Sequence, residues 1–486
     1  RDQHKAIRRQ RQMCIRDSFN IFCMVFTLLL SIIYVLQLVF SYRQITKHRK
    51  RKPADDYINY IDSENLMPIS ILVPAHNEEA HIVDNIHALM ELDYPEFELI
   101  VVNDGSTDST HDKIISAFGL YKIEHSIKVS IPTKEIRGVY YNAKYPRLIY
   151  VDKENGGKSD ALNAGINVSV YPLFVCLDAD SRIEKDAVLK LATEFMKDSS
   201  TVVAGGLVRI ANGAVIEKGE WKSFTMPEKA VEKFQIVEYF RAFLAGRVSW
   251  SMNNSLLIVS GAFGVFNKQT VIDVGGYKNG TVGEDMEIVV RIHEKLRRGK
   301  LKRKYNIVFC EDAVCWTQGP MSLKDLRSQR RRWHIGLTDT LFHHKKMILN
   351  PFYGAVGLFS IPYSWIFEWL GAPIEVLGYL IIPLSLFLGE LSLQFFLLYL
   401  FLAIGLGIVI SLGGLILEQK TRQERMSAKQ VMTLTLYAIL ENFGYRQLVT
   451  IFRMEGILRY PQLKNTWGQI KRQDFNTSST GNAGKK

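Results

Sequence analysis

Two kinds of hydrophobic pattern divide the chain. Residues 19–41 and 354–417 are apolar almost throughout, whereas residues from about 67 to 350 alternate short apolar runs with polar stretches. A helix needs about 20 apolar residues to cross a bilayer. Phe19 to about Ser41 meets that length without a charge and predicts a first span. A signal peptide is its rival, but the apolar core is too long for one, and a basic tract follows in place of a small-residue cleavage site. Leu393–Leu417 predicts a second clear span. Residues 354–390 contain Pro362, Pro373, Pro383, Glu368 and Glu375, which predicts a broken or partly interfacial stretch. Val431–Gly444 is interrupted by Glu441 and Asn442. If the charged loop 418–430 and the basic tail beyond share one side of the membrane, 431–450 does not cross.

Between the apolar segments the pattern is α/β. Apolar runs at Ser70–Val73, Glu98–Val102, Arg147–Val151, Leu173–Leu177 and Val202–Val208 read as strands. Helical periodicity follows at about 79–91, 107–118, 159–168 and 185–197. Strand, crossover helix and strand in succession predict a mostly parallel sheet that binds ligands at the carboxyl ends of its strands. The expected organisation is therefore 1–18 disordered or a cloning scar, 19–42 transmembrane and 67–320 an α/β domain. Residues 321–350 are expected to form interfacial amphipathic helices, 353–452 transmembrane or interfacial helices, and 453–486 a cytoplasmic tail.

Charge sharpens this picture. The net charge is +12, and basic clusters flank the apolar segments: Arg43, Lys47, Arg49–Lys52 after the first, and Arg327, Arg330–Arg332, Lys345 and Lys346 before the second. That placement points to the lipid bilayer and to a cytoplasmic α/β domain. No nucleic-acid motif accompanies the charge, so no nucleic-acid partner is expected. The five cysteines show neither Cys-x-x-Cys nor zinc spacing and read as small hydrophobes in a reducing compartment; a Cys310–Cys315 disulfide is not expected.

The candidate chemistry falls where strands end or helices begin. Asn103-Asp104-Gly105-Ser106-Thr107-Asp108 follows the strand FELIVV and reads either as a carboxylate for a base or ribose or as a glycine turn with a helix cap. Asp178-Ala179-Asp180 follows LFVCL, and two carboxylates one residue apart can both approach a hard cation such as Mg²⁺ or Mn²⁺. Gly283-Glu284-Asp285 opens the helix MEIVVRIH and supplies either a cap or a carboxylate general base. Gln329-Arg330-Arg331-Arg332-Trp333 puts Gln329, Arg332 and Trp333 on one helical face. That face suits a diphosphate and a sugar, and it equally suits a lipid interface. Gly156-Gly157-Lys158 places a cation and exposed amides near a phosphate but lacks Walker spacing. Ser260-Gly261-Ala262-Phe263-Gly264 reads as a small-residue loop that admits a ligand to the backbone.

In this order the motifs PAHNEE (74–79), NDGSTD, NGGKSDALNAG (155–165), DAD, SGAFG, GED and QRRRW resemble the membrane-bound processive members of glycosyltransferase family two. With ENFGYRQL and WGQIKR near the C-terminus, the chain looks most similar to the bacterial poly-N-acetylglucosamine type. The resemblance implies a GT-A catalytic domain with a Rossmann-like, mostly parallel sheet, joined to an α-helical transmembrane region. It implies a hexosyltransferase that moves a sugar, best read as N-acetylglucosamine, from a UDP-sugar to a growing biofilm exopolysaccharide with inversion, and exports the product. It places Pro74, Asn77, Glu78 and Asp104 around the uridine, Lys158 near the diphosphate, and Asp178 and Asp180 at donor and metal. Asp285 becomes the general base, and Gln329, Arg332 and Trp333 cover the diphosphate and the acceptor terminus. Family members often carry Asp where this chain has Asn103, and Thr where it has Gly283. The implied partners are the UDP-sugar, a glycan acceptor, the bilayer and an export or accessory subunit, in a multi-pass protein of the bacterial inner membrane. Transfer of one sugar to a membrane lipid is the alternative enzyme, and a scaffold or transport protein with a degenerate domain is the non-enzymatic one.

Overall fold

A computed structural model describes residues 2–51, 66–217, 220–389, 391–422 and 426–463. WGQIKR lies outside the described residues, as do most of the C-terminal tail and residue 1. Strands are β1 (Ile69–Ala75), β2 (Phe97–Asp104), β3 (Tyr121–Ile123), β4 (Ile136–Tyr141), β5 (Leu148–Lys153), β6 (Leu173–Leu177), β7 (Arg182–Ile183), β8 (Thr201–Ile210), β9 (Ala214–Glu217), β10 (Glu220–Phe224), β11 (Phe263–Asn267) and β12 (Asn306–Thr317). The five expected strands are β1, β2, β5, β6 and β8. Every residue of β2, β6 and β8 is buried. Both faces of these strands are covered by other elements, which is why they read as unbroken apolar runs.

The main sheet has ten strands in the order β3-β4-β5-β2-β1-β6-β11-β8-β12-β7. Its centre, β5-β2-β1-β6, is parallel, and β8 pairs β12 in parallel. β11 runs antiparallel between β6 and β8, and the β3-β4-β5 edge is antiparallel as well. This is the GT-A sheet that the motif order implied. The departures are β11, which the sequence presents as a small-residue loop, and β12, whose apolar run is broken by Glu311 and Asp312 at a register shift between Cys310 and Val314. β9 and β10 form a separate hairpin. Cys176, Cys310 and Cys315 are buried free thiols.

Three helical stretches are long and apolar enough to cross a membrane: Ser18–Lys50, Val356–Phe387 and Leu393–Thr421. The second was expected to be broken. Its prolines are absorbed by π-helical turns at Val356–Ser360 and Ser364–Trp369, and Pro383 sits inside an otherwise continuous helix. The N-terminal stretch, read as disordered or a cloning scar, is helical. The first helix runs from Asp2 to Arg51, because arginine, lysine, glutamine and alanine are good helix formers and nothing in the stretch breaks the turn. Ala428–Leu440 and Arg446–Leu458 are helices separated by a kink at Phe443 and Gly444, and neither is long enough to span.

The α/β domain is clamped onto the ends of these helices by polar contacts. Ser41 Oγ donates to Ala245 O at 2.9 Å, and Arg49 donates to Arg422 O at 2.7 Å. Arg209 and Arg422 both grip Glu418, which is fully buried. Arg241 Nη1 lies 2.6 Å from Glu441, which also receives Arg446 at 2.8 Å. Removing one partner would leave a buried charge uncompensated, which is costly, so the groups fix how domain and helices meet.

Candidate active site

The loops after β1, β2, β5 and β6 share the carboxyl edge of the sheet, as parallel pairing requires. Pro74 is the one partly exposed residue of β1, in register with Val102 of β2. Asn77 adopts the left-handed conformation (φ 56°), and its side-chain oxygen accepts from the amides of Thr107 at 2.8 Å and Asp108 at 3.3 Å. Its own amide donates to Ser106 Oγ at 3.0 Å, and the Glu78 amide donates to Thr110 Oγ1 at 2.9 Å. The PAHNEE and NDGSTD segments are thus laced into one surface.

Asp104 points the other way. Its carboxylate accepts from the amides of Gly156 (2.9 Å) and Gly157 (2.7 Å) and from Lys153 Nζ (2.6 Å), and it is almost wholly buried. Lys153 is completely buried and reaches Asp160 at 2.6 Å on its other side. Asp160 accepts in turn from the Lys134 amide and from Asn279 Nδ2. The carboxylate assigned to the uridine therefore holds the Gly156-Gly157 loop, from which the Lys158–Val168 helix starts.

Lys158, the first residue of that helix, is the hub. Its ammonium lies 2.5 Å from Asp178 Oδ1 and 3.3 Å from Glu284 Oε1, and it donates to Gly261 O at 3.3 Å. Burial works against its charge, but Asp178, Glu284 and Asp285 outweigh burial and hold the ammonium well above its ordinary range. The Gly261 amide donates to Asp285 Oδ2 at 3.2 Å. Asp178 at the end of β6 and Asp285 at the start of the Glu284–Arg297 helix, 107 positions apart in sequence, thus meet through one lysine and one glycine. Glu284 is buried, and burial pushes its carboxyl up against the pull of Lys158. Asp285 is the more accessible of the two. Asp180 is buried two residues past Asp178.

The Leu323–His343 helix carries QRRRW across the start of the Glu284–Arg297 helix. At the crossing, a Cβ on Gly283 would lie 2.8 Å from Gly336 Cα. Trp333, one turn before Gly336, leaves its indole 44% exposed, while Gln329 is buried. The arginines divide their work. Arg330 is buried, pairs with Glu238 at 2.8 Å and lies 4.3 Å over the Trp333 ring. Arg331 reaches Glu455 of the Arg446–Leu458 helix at 3.3 Å. Tyr445, from the ENFGYRQL segment, donates to Glu238 at 3.0 Å, so the C-terminal motif helps brace the tryptophan. Arg332 is half-buried beside them.

Motif reading missed Glu284, Lys153, Asp160 and Arg247. Glu284 and Asp160 stood inside recognised motifs; Lys153 and Arg247 carry no spacing signal. Among the described residues, His48, Glu311 and Asp312 form the only group of three metal-type side chains within 4.8 Å of one another, and it ties the first helix to β12, away from these loops.

A parallel sheet whose carboxyl edge gathers acids around a lysine, joined to apolar helices, defines a membrane-associated protein of GT-A type. Sequence profiles agree: glycosyl transferase family 2 matches residues 70–129, and glycosyl transferase family group 2 matches residues 173–410. The poly-beta-1,6-N-acetyl-D-glucosamine synthase of Staphylococcus aureus (strain COL) is 28% identical over 326 residues, 66% of each chain. That of Staphylococcus epidermidis is 29% identical over 274 residues, 56% of this chain and 55% of the relative. The chain thus spans 66% or less of the length of these curated relatives. Among solved structures, the mannosyltransferase PcManGT from Pyrobaculum calidifontis, in complex with GDP-Man and Mn²⁺, is 14% identical with a TM-score of 0.48, over 90% of this chain and 99% of that one. The chain is a glycosyltransferase, similar to family 2 over residues 70–129 and 173–410.

Proposed function

We propose that the protein transfers N-acetylglucosamine from UDP-N-acetylglucosamine to the end of a growing polysaccharide, inverting the anomeric carbon, and passes the product across the bacterial inner membrane. The observation that carries this reading is the Lys158 bridge, which links Asp178 to the Asp285–Gly261 corner. The Staphylococcus relatives support the choice of sugar and of a polymeric product.

In the proposed reaction Asp285 takes the proton of the acceptor hydroxyl, whose oxygen attacks the anomeric carbon. The bond from that carbon to the diphosphate oxygen breaks, and UDP leaves with the electron pair. Lys158 stands beside Asp178 with its charge retained, positioned to offset the negative charge that develops on the leaving group. Asp104 contributes by fixing the Gly156-Gly157 amides and, through them, the start of the Lys158 helix. The laced Pro74–Glu78 and Asp104–Asp108 segments form the floor for the uridine. Gln329, Arg332 and Trp333 would close over the diphosphate and the acceptor end.

Asp178 and Asp180 suit a divalent cation. They are an all-oxygen pair at one strand end, and Asp178 is still 30% exposed although Lys158 takes one of its oxygens. Mg²⁺ binds through one or two carboxylates and completes its shell with water and substrate phosphates, so a site with few protein ligands is adequate. Bound there, Mg²⁺ or Mn²⁺ would neutralise diphosphate charge.

The three apolar stretches support a topology with the α/β domain on the cytoplasmic side. The short connection between Phe387 and Leu393 holds no lysine or arginine, whereas Arg43–Lys52 and Arg327–Lys346 flank the other ends. A protein-lined path is needed because a polar glycan does not cross hydrocarbon unaided. An export or accessory subunit would act at this face.

The test is to incubate membranes containing the protein with Mg²⁺ and a panel of UDP-sugars. UDP-N-acetylglucosamine should release UDP and build a ladder of polymer. Asp285→Asn should stop turnover while UDP binding persists. A single glycolipid spot, or an Asp285→Asn variant with undiminished turnover, contradicts the reading.

A further inference from the structure

Arg247 has no role in the chemistry above, yet it is placed as a ligand-binding group. It closes the π-helical turn Arg241–Arg247, an irregularity that re-aims side chains and recurs at functional sites. Its guanidinium lies 3.7 Å over the Phe243 ring, and Phe243 stacks on Tyr239 with ring centroids 5.5 Å apart. Nη1 is buried with no hydrogen-bond acceptor. A buried donor left unfilled is costly, so such an atom marks a place where an acceptor belongs. The neighbouring backbone is open, since a Cβ on Gly246 would meet no atom within 4 Å.

The surroundings say which ligand. Burial pulls the guanidinium down to about 10, against Asp285 and Tyr239, which favour its charge. Lys158 pairs with Asp178 and Glu284, and Asp285 favours the charge of both Lys158 and Arg247. Beyond Arg247 the wall is aromatic: the Tyr239 ring lies 6.4 Å from that of Trp333, whose side chain is 44% exposed. Aromatic faces beside a hydrogen-bond donor suit a sugar ring, which is apolar on its faces and polar at its rim.

We propose that Arg247 binds the acceptor, its Nη1 donating to an oxygen of the terminal acceptor sugar while Trp333 packs on the ring, so that the attacking hydroxyl is held at Asp285. This assignment rests on the transferase reading and adds the residue that seats the acceptor. Arg247 then touches substrate without taking part in proton transfer.

The experiment uses the full chain in membranes or detergent with Mn²⁺, UDP-N-acetylglucosamine and a short β-1,6-linked N-acetylglucosamine oligomer as acceptor. UDP affinity, oligomer KM and kcat are measured for the native protein, Arg247→Met and Arg247→Lys. Loss of a charged hydrogen bond should raise the oligomer KM roughly 10- to 100-fold in Arg247→Met. UDP affinity should stay unchanged, and Arg247→Lys should recover part of the loss. An unchanged oligomer KM in Arg247→Met overturns the proposal. So does a parallel fall in UDP affinity in both variants, which would place the guanidinium at the donor or in the fold. Failure of the native protein to release UDP overturns the transferase reading itself, before any variant is compared.

Discussion

Replacing Lys153 by methionine tests how the site is held in shape. The ammonium is fully buried between Asp104 and Asp160, 2.6 Å from each. Methionine fills most of the volume but leaves two buried carboxylates without their shared cation. Removing one partner of a buried pair typically costs about 3–5 kcal/mol. Both acids keep other donors: Gly156 and Gly157 amides for Asp104, the Lys134 amide and Asn279 for Asp160. Those bonds keep the loss within that range instead of doubling it. For a domain of this size the midpoint of thermal unfolding should fall by roughly 6–20 °C.

The charge argument makes a second, sharper forecast. If the damage comes from uncompensated negative charge, Asp160→Asn added to Lys153→Met should restore much of the lost midpoint, although the double variant has lost more native bonds. UDP affinity should recover with it, because the Gly156-Gly157 loop resettles on Asp104. Thermal unfolding in detergent, with and without UDP, reads both effects. A shift of less than a few degrees in Lys153→Met, or a double variant less stable than the single, would refute the reasoning.

Two further outcomes follow from the helix that carries QRRRW. Gly283→Thr places a branched side chain where Gly336 Cα stands 2.8 Å away, so the two helices must separate; overpacking of this kind costs about 1–3 kcal/mol. Turnover should fall on the order of 100-fold from displacement of Trp333 and Asp285, and near-native turnover in a purified Gly283→Thr variant would contradict it. At the other end of the helix, His344 bonds Glu294 and lies 3.6 Å from Glu287. Burial works against its charge, yet these carboxylates hold its pKa above the ordinary 6.5. Glu294 is itself held at about 2, where bonds from His344 and Lys346 overcome burial. The Glu294 contribution is present above about pH 4.5 and lost as pH falls toward 2; that of His344 is present below 6.5 and lost as pH rises through its folded value. The cluster stabilises most between those limits. The unfolding midpoint should decline above pH 6.5, and His344→Gln should flatten that decline; an unaltered slope in the variant refutes the assignment.

The parallel strands were readable because both their faces are buried, and burial of both faces leaves a continuous apolar run such as LIVV or LFVCL. Their carboxyl ends were readable for the same reason: the first acid after such a run must sit at the sheet edge. β11 and β12 were not, since Phe263–Asn267 begins inside a run of small residues and β12 carries Glu311 and Asp312 where it shifts register. Side-chain direction was equally hidden. Asp104 and Asp178 look alike as acids after strands, but only coordinates show that Asp104 turns inward to two amides and a lysine. Glu284 and Asp285 are adjacent in a motif, and the phase of the helix alone decides that the first is buried and the second reaches Gly261. Lys153 and Arg247 stand in no motif; what marks them is burial of charge, a property that depends on partners scattered through the chain.

Gly283 shows how a departure from family pattern acquires a physical meaning. Thr at this position would cap the Glu284–Arg297 helix through its hydroxyl, and the glycine gives up that bond. In return two helices touch backbone to backbone, since Gly336 also lacks a side chain at the crossing. The two glycines are 53 positions apart in sequence, so neither explains itself alone. Together they let the Leu323–His343 helix approach until Trp333, one turn before the contact, borders the start of the helix that bears Asp285. With glycine in its place the lost cap costs only about a few tenths of a kcal/mol, a fraction of what misplacing an acceptor by an ångström takes from the rate. The exchange is coherent only if the tryptophan face and the Asp285 carboxylate serve one substrate. Close helix contact here is therefore better explained by the reaction than by stability.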